Sequence, residues 1–475
     1  MAPAPARPGV RADVAAGAIA VALVALATGV GVYLSSSTSV QIFAATPPLF
    51  AVWQPHLGPG TPLALLVAVL VIAWGPAAAQ HLPWRRALAA TYLAALAWTF
   101  ALAMIDGWRA GFAGRLTTAD EYLHEVPGID GIPAMLRGFS ARILDHQPDS
   151  WTTHVAGHPP GATLVFVWLD RAGLGGGGWA AAVCVLVGCL AAVAVPVTLA
   201  ALGSPDLARA AMPFAVLFPG AVWLAVSADG LFAGVAAGGI ALFAVGASGG
   251  AAAGRRLANL ALCAAGGVLL GFCVFLSYGL VLLAVPVLVI GVLHRNWPAL
   301  AVAAAAAALV AAVFAAAGFS WFEGYHLVVQ RYYQGIASSR PYEYWVWANL
   351  AALVLCGGPA MAAGLRRALL GGAVPARAAL GRAALARAPL ARAALSRALP
   401  AGRSRAVALV LAVAVAVAAA DLSGLSKAEV ERIWLPFAVW LAASAALLPA
   451  GSRRWWLAAQ ALTALLVNHL LLTNW

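Results

Sequence analysis

The segment Asp145–Gly161, DHQPDSWTTHVAGHPPG, gathers ionisable side chains that could act as acids, bases and phosphate ligands. It holds two carboxylates and three histidines, although only 9% of the 475 residues are charged and 63% are hydrophobic. Carboxylate and imidazole groups take and give protons in group-transfer reactions. The surrounding loop from Asp106 to Gly161 adds further acids, so we treat it as a candidate catalytic loop.

The elements that must position this loop are membrane-spanning helices. A mean hydropathy of +0.91 excludes a soluble globular domain. Apolar runs recur at about twenty residues, the length that crosses a bilayer core. We expect an all-α polytopic transmembrane helical bundle with an external loop that carries interfacial helices. Thirteen spans fit the sequence, at 13–35, 62–80, 88–106, 178–201, 209–226, 231–247, 257–277, 279–294, 298–318, 345–363, 406–421, 433–450 and 455–473.

Cysteine spacing and charge distribution narrow the class of protein. The five cysteines all lie in apolar runs without paired spacing, so we expect neither a disulfide framework nor a zinc site. A net charge of +12 could suit nucleic acid, but the arginines lie in short segments between apolar runs. That is the pattern of the positive-inside rule. We therefore expect a multi-pass cell-membrane protein with a cytoplasmic N-terminus, membrane lipids as partners and no nucleic acid.

The acidic residues segregate to one side of this topology. Of sixteen Asp and Glu, only Asp13 and Asp206 fall on the cytoplasmic side. Carboxylates contribute little to helix orientation, so the topology rule alone does not produce this asymmetry. We therefore expect the active site to be extracytoplasmic.

Two stretches of the long loop predict helices that do not cross the membrane. Ile132–Leu144, IPAMLRGFSARIL, is amphipathic at helical spacing and suits a helix lying in the interface. His158–Gly173, HPPGATLVFVWLDRAG, begins with two prolines and is too short to cross comfortably. It predicts a juxtamembrane or re-entrant helix.

These motifs, in this order, resemble the GT-C superfamily of polytopic glycosyltransferases, which use polyprenyl-phosphate sugars. The likeness starts with Asp106 at the outer end of a span, followed by the long loop and its HPP motif. Asp229 then lies at the turn of a helix–external Asp–helix unit, LFPGAVWLAVSADGLFAGVAAGGIALF. Ser277–Tyr278 stands where the superfamily commonly has Lys–Tyr or Lys–Phe. The resemblance covers roughly Asp106 to Leu293 and implies a GT-C-like fold.

The chain divides into four expected regions. A two-span N-terminal extension at 1–86 precedes a GT-C-like core at 87–364, whose external loop is 106–177. A basic Ala/Arg-rich cytoplasmic insert at 365–405 is followed by a three-span segment at 406–475. In the insert, arginines recur every five residues from Arg377 to Arg397, so on a helix they would spiral rather than form one face. We expect the insert to enforce orientation and to touch anionic lipid.

Sugar transfer from a lipid phosphate to a hydroxyl needs a base for the acceptor proton. Asp106 is the first candidate because it ends a span; alternatively it caps that span. Asp120 and Glu121 are rivals, although TTAD before an apolar run is also a helix start. His158 could orient the acceptor, contact phosphate or simply begin the short helix.

The leaving phosphate needs cations, and SGLSKAEVERIWLPF at Ser423–Phe437 supplies two. Lys427 is the only lysine in the chain, and Arg432 lies at the mouth of a predicted span. An alternative for Lys427 is an ion pair with Glu431, four residues later. Further candidates for the donor phosphate or substrate are His326, Arg331 and Arg340 in an aromatic external segment, together with Tyr278 and Asp229.

The resemblance thus implies a polyprenyl-phosphate-dependent glycosyltransferase with a lipid or glycan acceptor in the cell envelope. The Ala/Arg-rich, lysine-poor composition indicates an actinobacterial host, which makes mannose and arabinose the candidate sugars. The residue pattern does not require a metal, although Asp229 and a loop acid could hold a divalent cation. One alternative is a transporter or lipid flippase, which would place ionisable groups near the bilayer midplane and show inverted repeats. Another is a ligase or polymerase acting on diphosphate-linked lipid, which would favour a late, arginine-rich external loop.

Overall fold

The computed structural model describes residues 9–249, 255–384 and 401–473, and most of them lie in helices. The first half contains α1 (Val10–Ser37), α2 (Thr61–His81), α3 (Trp84–Ala103), α4 (Tyr122–Glu125), α5 (Ile132–Gly138), α6 (Thr153–Gly157), α7 (Pro160–Arg171), α8 (Gly177–Gly188), α9 (Ala191–Ala201), α10 (Pro205–Val216), α11 (Ala221–Leu224) and α12 (Ala228–Ser248). The second half contains α13 (Arg256–Leu276), α14 (Ala284–His294), α15 (Trp297–Ala316), α16 (Trp321–Gln334), α17 (Tyr342–Gly357), α18 (Pro359–Ala384), α19 (Ala401–Leu422), α20 (Val430–Ile433), α21 (Leu435–Ala442) and α22 (Arg453–Leu470). Strands β1 (Ala51–Trp53) and β2 (Leu471–Thr473) form a small sheet.

The chain is a multi-pass helical protein with apolar helices long enough to cross a membrane. In the described ranges there are eight such helices, or up to ten if each of two sharply bent helix pairs counts as one span. Large apolar side chains point outward from the bundle; Leu257 and Trp455 are 83% and 79% exposed. Such a surface suits lipid rather than water. The count of thirteen spans stays a prediction.

Several predicted elements differ from the observed ones. The predicted span 209–226 is divided into α10 and α11 by a break at 217–220. The predicted interfacial helix at 132–144 ends as an α-helix at Gly138 and continues as a 3₁₀ turn over Ser140–Arg142. The short helix after the HPP motif is confirmed as α7, which begins at Pro160 because proline suits a first helical turn.

The predicted span 345–363 is not straight, because α17 and α18 meet at an angle of 107°. Gly358 at the break has φ +78°, and a Cβ there would lie 1.8 Å from the Gln460 side chain. Gln460 donates to the Gly357 carbonyl at 2.8 Å and accepts from the Ala360 amide at 3.3 Å. One buried side chain therefore satisfies backbone groups on both sides of the break, as a low-dielectric interior requires.

The predicted basic insert at 365–405 begins within α18, and its role stays a prediction. The backbone of α18 remains helical through Ala384, so the insert begins as a direct continuation of a bundle helix. Residues 385–400 lie outside the described residues.

Polar contacts between loops join segments that the prediction places on the same side of the membrane. Arg209 Nη1 donates to the Leu82 carbonyl at 3.0 Å, which links two predicted cytoplasmic turns. Asp13 is buried and pairs with Arg366 at 2.9 Å and Arg367 at 2.6 Å, near the predicted cytoplasmic end of α18. Which face meets the cytoplasm stays a prediction.

The two-stranded sheet connects the loop after α1 to the end of α22. β1 pairs antiparallel with β2, in the register Ala51 with Thr473 and Trp53 with Leu471. The ladder continues beyond the strands, because the His56 amide donates to the His469 carbonyl at 2.8 Å. The predicted N-terminal extension is therefore packed into the bundle: α1 contacts α17 and α18, and α2 contacts α3, α10 and α22.

The sidedness can be tested with single cysteines at exposed positions, because the five native cysteines are buried. Gln147→Cys and Ser423→Cys should react with an impermeant thiol reagent on intact cells, whereas Gln80→Cys should react only after permeabilisation. Mass shift of the labelled protein is the measurement. Labelling of Gln80→Cys on intact cells would contradict the topology and the external position of the loop.

Candidate functional site

Arg432 is the centre of a buried polar cluster that joins the early loop to the late segment of the chain. Its Nη1 donates to Asp229 Oδ2 at 2.7 Å. Its Nη2 lies 3.3 Å from Glu429 Oε2 and 3.4 Å from His154 Nε2. We call the following residues the Arg432 cluster: Glu121, Tyr122, His154, His158, Asp229, Glu429 and Arg432.

Local backbone structure places the anions around Arg432. The Ser227 hydroxyl accepts from the Gly230 amide at 3.0 Å and so starts α12, which sets Asp229 in its first turn. A carboxylate is favourable there because the amide ends of the helix point toward it. Ala428 and Glu429 both have positive φ, at 74° and 62°. Non-glycine residues adopt this conformation at a cost, which is often found at functional sites.

The early loop contributes a carboxylate–imidazole pair. Glu121 Oε1 lies 3.0 Å from His154 Nδ1, and both side chains are buried. Burial alone would raise the pKa of Glu121, but His154, and after it Arg432, outweigh burial and lower this pKa. Asp120 holds the pair in place, because its carbonyl accepts from the His154 amide at 3.0 Å and its carboxylate from the Thr153 hydroxyl at 2.9 Å. The exposed Asp120 thus makes hydrogen bonds that stabilise the loop around His154.

His158 and Tyr122 complete the early side of the cluster. His158 Nδ1 donates to the His154 carbonyl at 2.8 Å, and burial lowers the pKa of His158. The Tyr122 hydroxyl has no hydrogen-bond partner among the described residues although the side chain is buried. Burial, and then Asp229, raise the pKa of Tyr122 well above its ordinary value. A buried unpaired hydroxyl is rare, and here it is available to a ligand.

Arg340 and Lys427 fasten the late segment to the bundle. Arg340 Nη1 lies 3.1 Å from Glu429 Oε1 and donates to the Lys427 carbonyl at 2.8 Å. Lys427 Nζ donates in turn to the carbonyls of Ala337 at 2.9 Å and Arg340 at 3.0 Å. The alternative interpretation of Lys427 as a partner of Glu431 is therefore wrong. Arg340 and Lys427, both predicted as phosphate ligands, thus bind backbone carbonyls of each other's segments. Among the described residues, Glu429 links Arg340 to the Arg432 cluster.

The loop at 38–60 covers this late segment. Arg340 Nη2 donates to the Phe43 carbonyl at 3.1 Å, and Glu431 accepts a hydrogen bond from the Phe50 backbone. Glu431 is only 1% exposed, and its Oε2 has no partner among the described residues. Burial raises the pKa of Glu431 to about 7. This carboxyl therefore keeps its proton to a higher pH than an exposed glutamate does.

Asp106 lies in a different group of charges. Its Oδ1 is 2.7 Å from His56 Nε2 and its Oδ2 is 2.5 Å from Arg115 Nη2. Arg115 Nη1 also donates to the Thr473 carbonyl at 2.5 Å. Both carboxylate oxygens thus have close partners, an imidazole and a guanidinium, which suits the alternative role of capping the span better than that of a base.

The remaining predicted residues lie outside the Arg432 cluster. Arg331 Nη1 pairs with Asp145 at 2.8 Å, within the loop contacts. His326 is exposed on α16, and its Nδ1 is 2.8 Å from the Phe322 carbonyl. Tyr278 packs its ring against Trp321 and Tyr325, whose own rings are stacked with centroids 5.5 Å apart and an interplanar angle of 3°.

Sequence reasoning brought Glu121, Asp229 and Arg432 forward and named His158 as a candidate, but it did not single out His154. The signal for His154 was present in HVAGH, because residues four apart share a helix face and both face the cluster. Glu429 and His56 had no local signal. In residues 9–249, 255–384 and 401–473, no three His, Cys, Asp or Glu side chains converge in a group that could hold a metal ion. The acids of the cluster face Arg432.

No known protein family, curated protein or solved structure matches this chain. Its function is therefore argued from the geometry of the cluster.

The raised pKa of Glu431 predicts a pH-dependent stability. The folded protein keeps a proton on this carboxyl that the unfolded chain releases above its ordinary pKa of 4.5. The stabilisation is fully present below pH 4.5 and is lost as the pH rises through about 7. Glu431→Gln keeps the shape of the neutral carboxyl, so its melting temperature should match the wild type at pH 4.5 and exceed it by several degrees at pH 8.

Thermal unfolding in detergent across this pH range measures the difference between variant and wild type. Glu429→Gln is the matched control in the same segment, because Glu429 pairs with Arg340 and Arg432 and its loss should destabilise the protein at neutral pH. A difference between Glu431→Gln and wild type that does not change with pH would contradict the prediction.

Proposed function

We propose that this chain is a membrane glycosyltransferase that moves a sugar from a polyprenyl-phosphate donor to a lipid or glycan acceptor on the extracytoplasmic face. One observation carries the proposal: the buried guanidinium of Arg432 contacts His154 of the early loop and Asp229 at the start of α12. The cation for a leaving phosphate and the groups for proton transfer are thereby within one cluster. These are the two requirements of the reaction.

Arg432 suits a phosphate because its planar guanidinium can donate to two phosphate oxygens at once. Burial opposes its charge, but Asp229 and then Glu429 outweigh burial and raise the pKa of Arg432, so the side chain stays cationic. The Asp229 contact at 2.7 Å is short, whereas the Nη2 contacts to Glu429 and His154 are 3.3 and 3.4 Å. A phosphate would therefore displace the long Nη2 contacts and leave Asp229 as the anchor.

The surroundings of the cluster offer contacts for a sugar. The unpaired Tyr122 hydroxyl can donate to a sugar oxygen. Farther along the chain, the parallel rings of Trp321 and Tyr325 lie on the amphipathic helix α16 and are partly exposed. Aromatic faces of this kind stack on the apolar faces of sugar rings. Mannose and arabinose, as decaprenyl-phosphate derivatives, are the donors we propose to test first.

The proposal predicts a selective effect of Arg432→Lys. Lysine keeps the positive charge but cannot span two phosphate oxygens with the same geometry. Losing one charge-assisted hydrogen bond should weaken binding of decaprenyl phosphate about 10–100-fold. Binding to purified protein in nanodiscs is the measurement, with transfer from decaprenyl-phosphate mannose and decaprenyl-phosphate arabinose measured in proteoliposomes.

Arg109→Lys, the same exchange at an exposed arginine of the early loop, is the matched control and should bind like the wild type. If Arg432→Lys, at equal thermal stability, binds decaprenyl phosphate as well as the wild type, Arg432 is a structural cation. If the wild type releases no decaprenyl phosphate from either donor but moves the intact lipid between leaflets, the transporter alternative replaces this proposal.

A further inference from the structure

Each ring nitrogen of His154 faces one partner. Nε2 lies 3.4 Å from Arg432 Nη2, and because a guanidinium can only donate, Nε2 is placed to accept. Nδ1 lies 3.0 Å from Glu121 Oε1, and because a carboxylate can only accept, this pairing assigns the ring proton to Nδ1. The lone pair of Nε2 then points into the cluster.

The pair formed by Glu121 and His154 is rigidly held. Glu121 is 6% exposed and His154 is 5% exposed. The His154 amide donates to the Asp120 carbonyl at 3.0 Å, and the ring of His154 lies nearly parallel to that of Tyr122, with centroids 6.3 Å apart. A carboxylate that orients an imidazole and stabilises its protonated form is the usual support of a histidine base.

We propose that His154, positioned by Glu121, is the base that takes the proton of the acceptor hydroxyl; this rests on the proposed function above. The acceptor oxygen forms a bond to C1 of the sugar, and the bond between C1 and the phosphate oxygen breaks. The electron pair of that bond leaves with the polyprenyl phosphate, which Arg432 holds. The acceptor proton moves to Nε2 of His154, Glu121 stabilises the imidazolium, and the proton then passes to water. A single displacement of this kind inverts the configuration at C1.

The same contacts couple donor binding to the base. The present partner of Nε2 is the Nη2 group of Arg432, at a long distance of 3.4 Å. A phosphate that takes over Nη2 releases the lone pair of Nε2 for the acceptor. Donor binding therefore frees Nε2 of His154 to accept the proton, which predicts that the donor binds before the acceptor.

The charged and titratable groups that face His154 set the expected pH dependence. They are Glu121, Tyr122, His158, Asp229 and Arg432. The base must be neutral to work, so the transfer rate should rise with pH as the imidazole loses its proton, and then level off. Glu121 favours the imidazolium, so removing its charge should move this acid limb to lower pH.

The test compares His154→Gln, Glu121→Gln and the matched control His124→Gln, an exposed histidine of the same loop. Glutamine at 154 can still donate to Glu121 and accept from Arg432 but cannot take a proton. Transfer from decaprenyl-phosphate mannose or decaprenyl-phosphate arabinose should fall about 10²–10⁴-fold in His154→Gln. Binding of decaprenyl phosphate should stay within a few-fold of wild type, and the acid limb should disappear. Glu121→Gln should reduce the rate less and shift that limb, and His124→Gln should change neither.

The outcomes separate this inference from the proposed function. If the wild type transfers sugar and His154→Gln keeps its rate and its acid limb, the base is another group and the glycosyltransferase proposal stands. If the wild type neither binds decaprenyl phosphate nor transfers sugar, the proposed function fails. Nitrogen NMR of ring-labelled histidine tests the geometry without activity: at neutral pH the ring of His154, assigned by its loss in His154→Gln, should carry its proton on Nδ1. A proton on Nε2 overturns the inference.

Discussion

A guanidinium that is only 6% exposed is the constraint on which the rest of this structure depends. Removing a charge from water costs several kcal/mol unless well-placed partners compensate it. Arg432 meets this requirement with Asp229 from the start of α12 and Glu429 from the left-handed turn before α20. Two separate parts of the sequence, the start of α12 and the segment around α20, must therefore come together at one point, and any register shift of α12 or α20 would leave a buried charge unpaired. The buried ion pair of Arg432 with Asp229 favours one packing of the bundle more than it raises the free energy of unfolding.

The break between α17 and α18 is subject to a similar constraint, because it leaves backbone polar groups inside the bundle that need hydrogen-bond partners. A backbone interrupted inside an apolar environment must satisfy its freed amide and carbonyl groups locally. Gln460 does this between α17 and α18, where Gly358 supplies the conformation and the space. Short helices also meet at the cluster: α7 begins two residues after His158, and α20 contains Arg432. The side chains that could do chemistry thus lie on helix ends and turns, held by buried contacts.

Hydropathy alone predicted the class of fold, because runs of apolar residues have few alternatives to a membrane helix. The loop acids, α7 and the importance of Arg432 were also accessible from local patterns. The surroundings of Asp106 were not accessible from local patterns. His56 comes from another loop, and Arg115 is held in place by the Thr473 carbonyl, which is 358 residues from Arg115. The alternative pairing of Lys427 with Glu431 is absent for a physical reason. The backbone at 428 and 429 is left-handed, so the helix starts only at Val430 and the two side chains share no helical face.

The pairing of β1 with β2 has a consequence for the assembly of the protein in the membrane. A chain is made from its N-terminus at about 5–20 residues per second, and more than 400 residues separate the two strands. The loop that carries Phe50 and His56 therefore remains without its ladder partner for roughly 20–80 s after it leaves the ribosome. The ladder beside His56, and the contact of Arg115 with Thr473, can close only after residues 469–473 have been made. This face of the bundle is therefore assembled late, and any activity that requires it begins only after that pairing has formed.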